Sequence, residues 1–155
     1  DSHGNVNNMV TAVGRLLPDM IILLGDCWAD AEQLHRKFPM TVMEQVPGNC
    51  DCRQEVQERI LLIEGKKILI CHGHTFNVKA GYLNLEYAAE ERKVDAALFG
   101  HTHRVFYDKH NRITYMNPGS IGQPPYGIPP SYGVLQVDGS SNTIATDVIY
   151  LEENN

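Results

Sequence analysis

The sequence predicts an α/β protein that delivers its polar residues to one rim. Short apolar runs of strand length alternate with segments of helical period. Four predicted strands end on a polar residue beside glycine: Gly25-Asp26, Gly48-Asn49, His72-Gly73 and Gly100-His101. Asp1-Ser2-His3-Gly4 has the form of a fifth such end, which predicts a strand upstream of Asp1. In open α/β sheets, ligands bind beyond the carboxyl ends of strands. Glycine at those ends permits tight turns and close backbone approach.

In chain order, Val6, Met9, Val10, Val13, Leu16 and Leu17 repeat at i, i+3, i+4, i+7, which predicts a helix over residues 5–17. The apolar run 20–24 has the length of a buried strand and stops at Gly25-Asp26. Residues 29–37 form a short helix before Pro39, and 41–46 a strand ending at Pro47-Gly48-Asn49. Strands 56–63 and 67–71 are joined at Glu64-Gly65-Lys66 as a hairpin. A helix over 82–92 and a strand over 95–99 lead to Gly100-His101. Two further hairpins pair 104–108 with 112–116 and 131–138 with 143–151, the latter around Gly139-Ser140-Ser141-Asn142. Gln123 to Pro130, with four prolines, is an ordered loop, and the 155 residues make one domain, 1–155.

Composition excludes several functions. Lys+Arg number 13 against 19 Asp+Glu, a formal charge of −6, which opposes non-specific binding to nucleic acid or anionic membrane. A phosphate substrate stays open, because bound cations reverse the local sign. No apolar run approaches the roughly 20 residues of a membrane span, so the expected location is cytoplasmic. Cys27, Cys50, Cys52 and Cys71 then remain thiols, and Cys50-Asp51-Cys52 lacks a zinc-knuckle spacing.

The histidines carry more information. Five of the seven lie in short clusters: Asp1-Ser2-His3, His72-Gly73-His74 and His101-Thr102-His103. An i, i+2 pair in extended chain points both rings the same way, which suits convergence on an ion. Asp1, His3, Asp26, Asn49, His72, His101 and His103 together offer mixed nitrogen and oxygen donors, the taste of Mn²⁺, Fe, Zn²⁺, Ni²⁺ or Co²⁺. Seven donors exceed the need of one tetrahedral ion and would serve two ions if a carboxylate bridged them. Two such cations can hold a phosphoryl group and activate a shared water. Taken singly, Asp26 could cap the helix over 29–37 and Asn49 could be a turn residue.

Asp1-x-His3, Gly25-Asp26, Gly48-Asn49-Cys50-Asp51, His72 and Gly100-His101-Thr102-His103 stand in the order of the five motifs of calcineurin-like metallophosphoesterases. The chain resembles the small, capless prokaryotic YfcE-type branch, related to the retromer small subunit, over essentially its whole length. Asn117-Pro118-Gly119-Ser120 matches a loop of that branch, expected to brace the site. The resemblance implies a four-layer α/β/β/α sandwich of two mixed sheets flanked by helices. It implies that Asp1, His3 and His103 hold a first metal, Asp26 bridges, and Asn49, His72 and His101 complete a second site. The implied activity is a phosphodiesterase working through a metal-activated hydroxide with two divalent ions, Mn²⁺ foremost and Ni²⁺, Fe, Co²⁺, Zn²⁺ or Mg²⁺ as alternatives.

Many relatives carry His after the Asn, where this chain has Cys50. A thiol is a poorer acid and hydrogen-bond donor than imidazolium, so of the two candidate catalytic residues, His74 and Cys50, Cys50 is expected to line the site, and His74 is either the general acid or a residue that hydrogen-bonds a ligand. Asp51 is expected to orient a ligand. His35 and His110 are expected at the solvated surface, and Trp28 either walls the site or packs. The expected partner is a small phosphodiester, and a homo-oligomer is compatible with the sequence. Two alternatives stand beside this reading: a phosphomonoesterase or nucleotide phosphatase on the same site, and a non-catalytic protein-binding scaffold like the retromer small subunit.

Overall fold

The computed structural model describes residues 1–52 and 55–152; residues 53, 54 and 153–155, which the single-domain expectation includes, lie outside it. After the opening turn, α1 (Val6–Leu16) starts on Asn5, whose side chain accepts from the Asn8 N–H at 3.2 Å. β1 (Met20–Leu23), α2 (Trp28–Lys37) and β2 (Val42–Gln45) follow, with β1 and β2 parallel. β3 (Glu58–Ile63) and β4 (Lys66–Cys71) form an antiparallel hairpin. A single 3₁₀ turn (His74–Phe76) precedes α3 (Leu83–Arg92), β5 (Ala96–Leu98), β6 (Val105–His110), β7 (Ile113–Pro118), β8 (Ser131–Asp138) and β9 (Thr143–Tyr150).

The strands form three hydrogen-bonded sheets among the described residues, not the two mixed sheets expected. Only the central one is mixed, with order β3-β4-β5-β7-β6. β4, β5 and β7 run parallel, and β3 and β6 flank them antiparallel. β1-β2 and β8-β9 are separate pairs, joined to the centre by packing of side chains. Met20 and Ile22 of β1 share a core with Ile68 and Ile70 of β4 and with Leu135, Ile144 and Val148 of the β8-β9 hairpin. Apolar contact therefore does the joining where no backbone ladder spans the gap.

The opposite face of the central sheet packs on α3 through Leu69, Ala97, Phe99, Tyr115, Leu85 and Ala89. A third core joins α1 and α2 to β1 and β2 through Met9, Val13, Leu34, Ile21 and Leu23. β4 carries a near-continuous apolar run and is buried on both faces, as a central parallel strand must be. The second predicted hairpin is longer than expected: the ladder runs to His110 and Ile113, so Lys109 and His110 sit in strand and the turn falls on Asn111-Arg112, both at positive φ. No helix among the described residues is long and apolar enough to cross a membrane.

β1 and β2 end together, and so do β4, β5 and β7. The residues that follow them face one another across the junction of the first and central sheets. Packing of α3 is the most direct check of this arrangement. Leu85→Ala, at a fully buried position, is expected to lower stability by about 2–5 kcal/mol in urea unfolding. Leu83→Ala on the exposed side of the same helix should stay within about 0.5 kcal/mol, and equal costs would contradict the packing described.

Candidate metal centre

Three loops, at His3, at Asp26-Cys27 and at His101–His103, turn sharply to present their side chains. His3, Asp26, Cys27, His101 and His103 all have positive φ, between 44° and 74°. Such conformations cost free energy for residues with a Cβ and concentrate at functional sites. Gly25 and Gly48 allow two of these turns to touch. A Cβ on Gly25 would lie 2.7 Å from the His72 ring, and one on Gly48 2.0 Å from Asp26 Oδ1.

The result is a convergence of lone pairs. His72 Nε2 is 3.0 Å from Asp1 Oδ1 and 3.4 Å from Asp26 Oδ2. His103 Nε2 is 3.5 Å from Asp1 Oδ1, and His3 Nε2 is 3.5 Å from Asp26 Oδ2. His3 Nε2 and His103 Nε2 face each other at 3.1 Å. Donors bound at about 2.0–2.1 Å to one ion lie about 3.0–3.4 Å apart, so the observed spacings suit a shared cation. Asp1, His3, Asp26 and His103 offer ligand atoms all within 4.8 Å of one another. The side chains of Asp1 and His72 are fully buried and that of Asp26 nearly so. Two carboxylates in such a place need positive charge nearby. The donor set fits divalent metal.

The surroundings orient these ligands. His103 Nδ1 is 2.7 Å from the Gln123 carbonyl, so that nitrogen carries the proton and Nε2 is left free. His101 N–H donates to Asp1 Oδ2 at 2.9 Å, and Cys50 N–H to Asp26 Oδ1 at 3.0 Å. Ser120 Oγ–H donates to the Asp1 carbonyl. Asn117, fully buried, donates to the Gly100 carbonyl at 2.8 Å and to Thr102 Oγ1 at 3.0 Å, which braces the loop of His101 and His103.

Burial dominates the electrostatics of the imidazoles. It pulls His72 down to about 4, and His101, next to His72 and in reach of the Lys79 ammonium, also to about 4. His3 and His103 are lowered by burial too. Burial works to raise the Asp26 carboxyl, but the Cys50 N–H and the neighbouring His72 outweigh it and its net shift is downward. The rings are neutral and Asp26 is ionised at neutral pH, which is the protonation a metal site requires.

The remaining sequence-predicted residues fall around this cluster. The His101 ring lies 4.8 Å from that of His72, at the rim. Asn49 is exposed and donates to Cys50 Sγ at 3.6 Å, outside the converging donors. His74 Nδ1 is 3.0 Å from His72 Nδ1. Cys50 is exposed, and burial and Asp26 raise its thiol. Asp51 accepts from Trp28 N–H at 2.8 Å and Gly48 N–H at 2.9 Å, tying two loops of the site together. His110, expected at the surface, is partly exposed there, stacked on Tyr115 and bonded to Asp108 at 2.9 Å.

The family model described as the calcineurin-like phosphoesterase superfamily domain matches residues 1–140. The chain belongs to that superfamily. Membership places it among the metallophosphoesterases, hydrolases of phosphoric esters. It is 34% identical over 148 residues to a probable metallophosphoesterase of Bacillus subtilis, YsnB, covering 93% of this chain and 85% of that one. It is 29% identical over 119 residues to the phosphodiesterase YfcE of Escherichia coli, covering 77% of this chain and 53% of YfcE. A crystal structure from Streptococcus pneumoniae, described as a predicted phosphoesterase, superposes with a TM-score of 0.78 at 25% identity, over 97% of this chain and 85% of that one.

The buried histidines set a pH dependence for the chelator-treated chain. Folded His72 titrates near 4 and unfolded histidine near 6.5, so the unfolded chain binds more protons between those values. Stability is then full above pH 6.5 and falls as pH drops towards 4, by on the order of 3 kcal/mol for this group. Urea midpoints at pH 7, 5.5 and 4.5 should decline accordingly, with a shallower decline in His72→Gln; a flat series would contradict the burial of a neutral ring.

Proposed function

We propose that this chain hydrolyses phosphodiester bonds at a centre of two divalent ions, with Mn²⁺ the preferred metal. The observation that carries the reading is the meeting of the His3, His72 and His103 Nε2 atoms with the Asp1 and Asp26 carboxylates. Asp1, His3 and His103 would hold the first ion. Asp26 Oδ2, which faces both His3 and His72, would bridge. His72 and His101 would hold the second, and Asn49 would join them by exchanging its contact with Cys50 Sγ for the ion. Bound ions supply charge neutralisation at the phosphoryl oxygens and lower the pKa of a water.

The chain's own residues do the orienting. With His72 Nε2 presented to the carboxylates, the fitting tautomer places its proton on Nδ1, donated to His74 Nδ1. His74 then carries its proton on Nε2, where it can hydrogen-bond a departing oxygen. Cys50, kept as the neutral thiol, lines the site. The same reading takes the three cores as the contacts of a four-layer α/β/β/α sandwich.

The test strips the protein with chelator, restores Mn²⁺, and assays bis-p-nitrophenyl phosphate beside p-nitrophenyl phosphate. Diester turnover should require metal, exceed monoester turnover, and fall at least about 100-fold in His101→Ala. Faster monoester turnover would favour a phosphomonoesterase. No turnover with Mn²⁺, Ni²⁺, Co²⁺ or Zn²⁺ would favour a binding scaffold.

A further inference from the structure

Asp30 is a buried carboxylate, 4% exposed, that takes no part in the converging donor set. It stands in the first turn of α2, where an acidic residue ordinarily faces water beside the positive end of the helix. Here it faces the opening loop instead. One oxygen, Oδ2, lies 2.7 Å from Ser2 Oγ and 2.7 Å from the Gly4 backbone nitrogen. Ser2 has a single hydroxyl proton, and the Asp26 carbonyl, at 3.2 Å, is the more distant acceptor, so that proton goes to Asp30. Both bonds are charge-assisted and short.

The two gripped residues sit on either side of His3, and Ser2 follows Asp1. The backbone here enters the left-handed region, at φ 44° for His3, a residue with a Cβ, and 87° for Gly4. A bend of that kind persists only when its surroundings hold it. We propose that Asp30 is a positioning residue for the first metal site, clamping the Asp1–His3 loop onto α2; the inference rests on the metal-centre reading above. Asp51 does the matching work on the other side of α2, holding Trp28 N–H and Gly48 N–H. The Cys27 side chain makes no cap bond, so that helix end is closed from outside, by Asp51. The start of α2 thus fixes two of the loops that carry ligands.

The test compares Asp30→Ala and Asp30→Asn with the wild-type chain by two readouts. Mn²⁺ titration followed by electron paramagnetic resonance should show one of two ions bound about 10–100-fold more weakly in Asp30→Ala, with the other unchanged. Amide exchange of the metal-free chain should show Gly4 N–H losing protection. Asp30→Asn keeps an acceptor oxygen in the same place and should restore most of both. Native affinity for both ions in Asp30→Ala, with Gly4 still protected, would overturn the proposal. If Asp30→Ala does not fold, Ser2→Ala should move both readouts the same way by less, and no movement there also overturns it. Failure of wild-type protein to take up Mn²⁺ would sink the metal-centre reading, whereas the Gly4 amide, which needs no metal, separately decides the grip of Asp30.

Discussion

Two carboxylates and three imidazoles crowd one small, largely buried space, and the rest of the structure is organised to keep them there. Asp1 and His72 have fully buried side chains, 3.0 Å apart. Left to themselves such groups would repel, reorient or neutralise. Backbone N–H groups of His101 and Cys50 hold one oxygen of each carboxylate and leave the other facing the imidazoles. The sheets contribute by bringing strand ends level, and the glycines by letting those ends touch. The strain in the positive-φ residues is borne by this network and by the cores behind it.

Much of this was legible because polar residues beside glycine at strand ends are a local signal. The alternation of apolar runs located the nine strands of the described residues, and the polar residues beside glycine supplied Asp26, His72, His101 and His103 together with Asp1 and His3. Other features have no local signature. Positive φ at five non-glycine positions of the site is imposed by tertiary contacts. Asp30 looks like any acidic residue in a first helical turn, because its partners are 28 and 26 residues away. The separation into three sheets depends on which strands reach one another, and apolar periodicity is the same on either side of such a gap.

Cys50 in place of histidine changes the chemistry more than the geometry. Its backbone N–H still holds Asp26, a role indifferent to the side chain. The thiol is raised by burial and by Asp26, so it brings neither charge nor an acidic proton to the phosphoryl group. Burial and the neighbouring His72 lower His74, so in the proposed reading it would serve the leaving group as a neutral ring, by a hydrogen bond from Nε2, while its Nδ1 orients His72. Lys79, near enough to His101 and His103 to lower both, adds positive charge on the exposed rim.

In the proposed function, this cluster holds two ions across a shared carboxylate. A crystal structure of the Mn²⁺-loaded protein, with anomalous scattering recorded at the manganese edge, tests it most directly. Two peaks about 3.5–4 Å apart are expected, on either side of Asp26 Oδ2, with His3 and His103 at one and His72 and His101 at the other. A single tetrahedral peak, or no peak among these side chains, would contradict it.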